Sequence, residues 1–428
     1  SRNMREPFGG KQLLLVGDIY QLEPVIKEED RRLLSPYYPS LFFFNAKVFS
    51  QMQLVSIELR KVYRQKDPEF ISILDKIRNN TIGDQELRQL NCRVGASLGN
   101  EMTITLATRR DNVDFINERQ LESLPGEPTI VRGEIRGDFP ESALPTPIEL
   151  EIKVGAQVIF IKNDMDKRWV NGTLGVIEAL DEEEGKLYVV TEDGNEYEVE
   201  RESWRNVRYT FNDKEKKIEE QELGVYVQYP IRLAWAITVH KSQGLTFRKV
   251  AIDFTGGVFA GGQAYVALSR CMSLEGISLA QSIRRDDIFV RNEIVRFAQN
   301  YNNNTMINRA MAESQADHDY HEAAKAFDEG DFNQFLDYFF KAIHGRYDIE
   351  KPSARRLIRR KLNTINTLKQ EVTDLKKEKK NKQNFLKRLA VEYTVLGNEC
   401  VAINEPAAAI GNYKKALVLY PTEEIKKR

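Results

Sequence analysis

The chain has 428 residues, 41% of them hydrophobic and 30% charged, with a formal net charge of −1. That length divides into about three domains of ordinary size, and the near-neutral balance excludes a wholly basic coat while leaving room for a local basic groove. No run of about 18 apolar residues is present to cross a membrane, the first residues carry no signal-peptide pattern, and cytoplasm is the expected location, nucleoid-associated in a bacterium.

In chain order, LLLV (Leu13 to Val16) is a short apolar run that suits a buried parallel strand, and the polar turn GDIYQLEPV follows it. Asp18 then falls at the carboxyl end of that strand, where ligands collect in open α/β sheets; the alternative is a turn-capping Asp. Residues 1–56 read as the end of one α/β domain. From 57 to 150 the patterns alternate: SILDKIRN around Ile73 is amphipathic, TITLAT (Thr103 to Thr108) extended, DNVDFINERQLESL helical. Residues 151–228 turn β-rich, with Asp193-Gly194 a hairpin signal, and predict an inserted SH3-like β-barrel. Trp169 there suits a core filler better than a base-stacking platform. The α/β pattern returns over 229–290 in RLAWAITVH, KVAIDF and GISLA.

Strands stop near Arg291, Asn302 to Asn304 predict a linker, and residues 306–428 are helical. Between Lys351 and Arg388 bases far outnumber acids, and Ile358, Ile365, Leu368, Val372 and Leu375 approximate a short heptad seam. Further on, Tyr393, Leu396, Gly397, Ala409, Tyr413, Ala416 and Pro421 fall at the offsets of a tetratricopeptide repeat, an expected groove for a protein partner. Cys92, Cys271 and Cys400 lie far apart, without metal-ligand spacing, and read as reduced fillers; no metal ligands are expected in this chain.

Four segments carry chemistry: GDIYQLEPV (Gly17 to Val25), ELRKVYRQKDPEF (Glu58 to Phe70), LAWAITVHKSQGLTF (Leu233 to Phe247) and GGQAYVALSR (Gly261 to Arg270). Gln21 is planar, neutral, and both donor and acceptor, which suits sensing a γ-phosphate or its attacking water. Thr238, His240, Lys241 and Ser242 offer donors within one turn, suited to the phosphates of a single strand rather than to base edges. Gly244 lets a backbone approach a phosphate closely.

In this order the four segments resemble motifs III to VI of the Pif/RecD-like helicases of superfamily 1, which move 5′ to 3′ on DNA; the resemblance covers roughly residues 5–285. It implies two RecA-like motor domains, the first one partial (1–56) and the second built from 57–150 and 229–290, giving an α/β fold with the inserted barrel and an all-α end. It implies ATP as the nucleotide, bound by Asp18, Gln21, Arg64, Gly244 and Arg270. Gln21 takes the coupling role, while Arg64 and Arg270 are the arginines that reach the γ-phosphate, where cations count most. It places Gln243 between nucleotide and DNA, has the barrel hold or split the strand, and makes single-stranded DNA and DNA junctions the partners. The motif usually has Pro where this chain has Glu23.

The phosphate loop GxxxxGK[ST] and the acidic pair that holds Mg2+ do not occur in the chain. They are expected upstream of Ser1, so the chain alone is not expected to hydrolyse ATP. A non-enzymatic DNA-binding scaffold that recruits a partner through its terminal repeats is the alternative reading, and a 3′ to 5′ motor of the same superfamily a third.

Overall fold

The computed structural model describes residues 7–52, 54–99, 102–181, 185–212, 215, 217–346 and 352–427. It divides into two compact units that meet between Asn302 and Asn303, where the sequence places a linker.

The first unit opens with an irregular segment holding a short α-helix, α1 (Glu28–Leu34), and 3-10 turns at Pro7–Gly10, Phe43–Asn45 and Lys47–Gln51, followed by α2 (Pro68–Arg78) and α3 (Asp84–Asn91). Helix α2 starts where its sequence dictates: Asp67 caps it by accepting from the amides of Glu69 and Phe70, and Pro68 occupies the first turn, where its missing N–H costs nothing. Its residues Phe70, Ile73, Leu74 and Ile77 recur at helical spacing and are buried. They pack on a parallel sheet of β1 (Ile104–Ala107), β12 (Ala236–Thr238), β13 (Val250–Asp253) and β14 (Ile277–Leu279), ordered β12-β1-β13-β14. The strands are nearly continuous apolar runs because both faces are covered. Helix α4 (Arg110–Ser123) lays Val113 and Ile116 against Ala107 and Ala236.

Between α4 and β12 the chain makes a long antiparallel excursion. Strands β2 (Thr129–Arg132) and β4 (Glu149–Ile152) pair. Strand β3 (Glu134–Gly137) joins the long hairpin of β9 (Glu202–Asn212) and β10 (Lys217–Gln228). Five strands, β5 (Gln157–Phe160), β6 (Leu174–Asp181), β7 (Lys186–Thr191), β8 (Glu196–Val199) and β11 (Ile231–Leu233), form a sheet ordered β11-β5-β6-β7-β8. The Asp193-Gly194 turn joins β7 to β8, with Gly194 at φ 80°. Trp169 is buried in this sheet's core, stacked on Phe160 at 4.4 Å.

RLAWAITVH is divided between β11 and β12 in different sheets, with a break at Ala234-Trp235 where the chain leaves the excursion; the Gln157 side-chain amide bridges the break by donating to the carbonyls of Thr103 and Ala234. One expectation fails: Leu13 to Val16 is not a buried strand, since Leu14 is 84% and Val16 89% exposed. A strand exists only as part of a ladder, and no described strand lies beside this segment to complete one.

The second unit is helical. After α5 (Gln263–Ser269) and α6 (Asn292–Ala298) of the first unit come α7 (Asn304–Glu329) and α8 (Phe332–Arg346), which fold back through Gly330 at φ 85°. Ala323, Phe339 and Ile343 form their core, joined by Ile358 of α9 (Pro352–Ala402). Lys361 of α9 is anchored by Asp328 and the Ala324 carbonyl. The basic segment and the start of the expected repeat are thus one uninterrupted helix; Lys351, where the basic stretch of the sequence begins, lies outside the described residues. Helices α10 (Pro406–Leu419) and α11 (Glu423–Lys427) close the chain, with Ala409 and Ala416 buried. Gly397 lies so close to the Tyr413 ring that a Cβ would stand 2.6 Å from it. No helix of the described residues is long and apolar enough to cross a membrane.

Phe70 is fully buried at the centre of the first unit's core, so Phe70→Ala should destabilise that unit by about 3 to 5 kcal/mol. Trp169, Trp204 and Trp235 all belong to the first unit, which makes tryptophan fluorescence during urea unfolding the measurement.

Candidate nucleotide and DNA site

Asp18 shapes the turn that carries Gln21. Its Oδ1 accepts from the Tyr20 amide at 3.1 Å and its Oδ2 from the Gln21 side-chain amide at 3.3 Å. This is the turn-capping arrangement. The turn is anchored from behind by Arg78, whose guanidinium lies 4.2 Å from the Tyr20 ring centre, 3.9 Å from Asp18 and 2.8 Å from Glu58.

The four segments converge on the turn that follows β12, residues 242–246. Gln243 donates from Nε2 to Gln21 Oε1 at 3.3 Å. Arg64 donates from Nε to Thr246 Oγ1 at 2.8 Å and from Nη1 to the Ser269 carbonyl at 3.0 Å. Arg270, at the end of α5, is 1% exposed and donates to the carbonyls of Ser242 and Leu245, to the Val266 carbonyl at 3.0 Å and to Ser269 Oγ. Gln65 completes the set by donating to the carbonyls of Ser269 and Cys271.

Among the described residues neither Arg64 nor Arg270 is hydrogen-bonded to a carboxylate. Burial lowers the Arg64 guanidinium below its ordinary value. Burial first, and then the charge of Arg64, brings Arg270 down to about 10. Both remain cations at neutral pH. The two neighbouring cations are held only by carbonyl and hydroxyl dipoles; Arg270 is enclosed by them, while Arg64 is half-buried and the more accessible of the two.

The expected DNA-facing residues divide. Thr238 is half-buried and receives the Lys241 amide at its hydroxyl. His240 lies 6.2 Å from the Phe259 ring, nearly parallel to it, and burial lowers its imidazole below the ordinary value. Lys241 is exposed on its outer side, yet the protein atoms crowding its ammonium, and then the charges of Arg232 and Arg110, hold it below its usual range. Gln243 and Gly244 are exposed, Gly244 has φ 83°, and a Cβ there would meet nothing within 4 Å. Ser242 is the correction: it is completely buried, and its hydroxyl donates to the Val239 carbonyl at 2.7 Å. A side chain engaged inside the turn is withdrawn from any strand lying outside it.

Sequence reasoning missed Gln65, Phe259 and the basic neighbours of Lys241, Arg110 and Arg232. A visible signal existed for Arg110, a pair of arginines shortly after the apolar β1. Arg232 and Phe259 are brought near His240 and Lys241 only by the fold. Both Asp18 oxygens accept hydrogen bonds within its own turn, and among the described residues no three His, Cys, Asp or Glu side chains converge.

The chain is 37% identical over 292 residues to human ATP-dependent DNA helicase PIF1, a match that covers 64% of this chain and 41% of that protein. It is 30% identical over 278 residues to the ATP-dependent DNA helicase Pif1 of Campylobacter jejuni, covering 61% of each. It therefore spans about two fifths of the length of the vertebrate relatives it matches. Among solved structures, unliganded Pif1 from Bacteroides matches at 39% identity and TM-score 0.61, over 69% of this chain and 68% of that one. The same values hold for Bacteroides Pif1 in complex with ADP-AlF4. Pif1 helicase from Candida albicans matches at 30% identity and TM-score 0.54, over 69% of this chain and 70% of that one. No protein-family model matches the chain.

The His240 imidazole gives a pH test. Its folded value lies below the ordinary one near 6.5, so as pH falls through 6.5 the unfolded chain takes up this proton first and the fold loses stability. Melting temperatures of His240→Gln and the parent chain should differ by a constant amount above pH 7. Between pH 7 and pH 5 the parent should lose more stability than the variant.

Proposed function

Because the chain belongs to the Pif1 helicase family, we propose that it supplies the coupling and strand-gripping part of an ATP-driven motor that moves 5′ to 3′ on single-stranded DNA. The observation that carries this reading is the turn 242–246, which is contacted by Gln21, Arg64 and Arg270 together. A group that reports the γ-phosphate, two cations suited to its developing charge and the turn expected to touch the strand are thereby one hydrogen-bonded assembly. The charge that builds on the transferred phosphoryl group is met by fixed cations, which need no reorganisation at the moment of reaction.

In this proposal Arg64 and Arg270 stabilise that charge and Gln21 passes the nucleotide state to Gln243. Gly244 admits close approach of the backbone, while Thr238, His240, Lys241 and Gln243 hold phosphates without reading bases. Asp18 acts by shaping the sensor turn. ATP enters with Mg2+. The antiparallel excursion helps to hold or split the strand at junctions. In the second unit, the groove lined by Leu389, Tyr393, Lys414, Lys415 and Val418 suits an acidic protein partner.

Two measurements test the motor. In the chain joined to a domain bearing a GxxxxGK[ST] loop, Arg64→Ala should lower DNA-stimulated ATP hydrolysis by about 10³-fold, and a variant that hydrolyses at the parental rate sinks the reading. In the 428-residue chain, Lys241→Ala should weaken binding to fluorescent single-stranded DNA, and the slope of log affinity against log salt should become shallower by about 0.7. A slope that does not change would place Lys241 off the strand.

A further inference from the structure

Glu23 stands where the helicase motif usually carries Pro, and its carboxylate joins three segments. Its Oε1 accepts from the Gly261 amide at 3.0 Å and from Arg291 Nε at 2.7 Å. Gly261 opens the segment that leads into α5, and Arg291 precedes α6, so the two contacts reach across 238 and 268 residues of sequence. The Gly262 amide donates in turn to the Phe289 carbonyl, which draws the third segment into the same knot.

The glycines are what permit this closeness. A Cβ at Gly261 would lie 2.7 Å from Glu23 Oε1; one at Gly262, where φ is 77°, would lie 2.3 Å from the Tyr20 carbonyl oxygen and 2.6 Å from that of Gln21. The backbone that carries Gln21 therefore rests directly on the start of α5. That helix has seven residues, Gln263–Ser269, and Arg270 follows at its end. At about 1.5 Å per residue the element is only about 10 Å long, so a displacement at Gly261 reaches Arg270 with little to absorb it. Ser269 would move with it, and both Arg64 and Gln65 are bonded to the Ser269 carbonyl.

We propose that Glu23 is a positioning residue, a carboxylate latch that fixes the sensor turn on the start of α5 so that Gln21 and the two arginines keep one geometry. The proposal rests on the motor reading above and deepens it. Glu23 acts through Gly261 and Arg291. A proline at this position has no side-chain acceptor to offer either group, so the chain holds by charge and hydrogen bonding what a ring would hold by stiffness alone.

The test has two arms. In the full chain, hydrogen exchange of a peptide covering 256–264 reads the Gly261 amide directly. Glu23→Ala should speed its exchange about tenfold or more, the loss expected for a hydrogen bond to a charged group. Arg291→Ala should have a smaller effect because the acceptor survives, and Glu23→Gln, whose amide oxygen can still accept from Gly261, should keep part of the protection. Unchanged exchange in Glu23→Ala overturns the latch. In the chain joined to a loop-bearing domain, Glu23→Ala should lower kcat for DNA-stimulated ATP hydrolysis about tenfold with KM for ATP within about twofold, and Glu23→Gln should retain part of kcat. Faster exchange with an unaltered kcat would make Glu23 a structural contact only and overturn the positioning role. If the unsubstituted fusion itself hydrolyses no ATP, the motor reading fails and the positioning role falls with it, while the exchange arm still decides whether the latch exists.

Discussion

The first unit depends on one buried guanidinium. Arg270 donates to Val266 in its own helix, to Ser269 beside it, and to the carbonyls of Ser242 and Leu245 in the turn after β12. A cation without a carboxylate partner is expensive to bury, and here the cost is offset by backbone dipoles converging from two segments. The consequence is mechanical as well as electrostatic. The end of α5 and the 242–246 turn cannot separate without leaving both the arginine and the carbonyls unsatisfied, so whatever acts on one acts on the other.

Around that brace the remaining contacts fall into place. Arg64 and Gln65 reach the same Ser269 carbonyl from a segment some 200 residues away in sequence, and Gln243 projects from the braced turn to meet Gln21. The sensor turn is held on its other side by Arg78 through Tyr20, Asp18 and Glu58. Two glycines at the start of α5 remove the side chains that would otherwise keep this turn away. Charge, dipole and steric vacancy thus act on the same few residues, so a small rearrangement of one loop is felt at the 242–246 turn.

The antiparallel excursion leaves the parallel sheet after α4 and returns at β12, one step before the braced turn. Gln157 fastens that return by bonding to the chain ends of both sheets. The excursion's sheet is therefore attached beside the residues expected to face DNA, with Trp169 committed to its core. The second unit is organised separately: α7 and α8 close on α9 near Lys361, and α10 closes on the far end of α9 at Gly397. Between those ends Ile365, Leu368, Val372 and Leu375 stay exposed.

Much of this was legible in the residues themselves. Local signals are self-contained, so the amphipathic SILDKIRN of α2, the Asp193-Gly194 hairpin and the apolar runs of β1, β13 and β14 could be read directly. The four motifs identified the family and named Gln21, Arg64, Gln243 and Arg270. Other features depend on partners distant in sequence. The chain could not reveal that Leu13 to Val16 lacks a neighbouring strand, that RLAWAITVH is divided between two sheets, or that Ser242 turns inward to Val239. Glu23 was visible only as a departure from a motif. Its contacts with Gly261 and Arg291 exist because folding brings those positions together, and hydrogen bonding is set by distances of about 3 Å that sequence spacing does not encode.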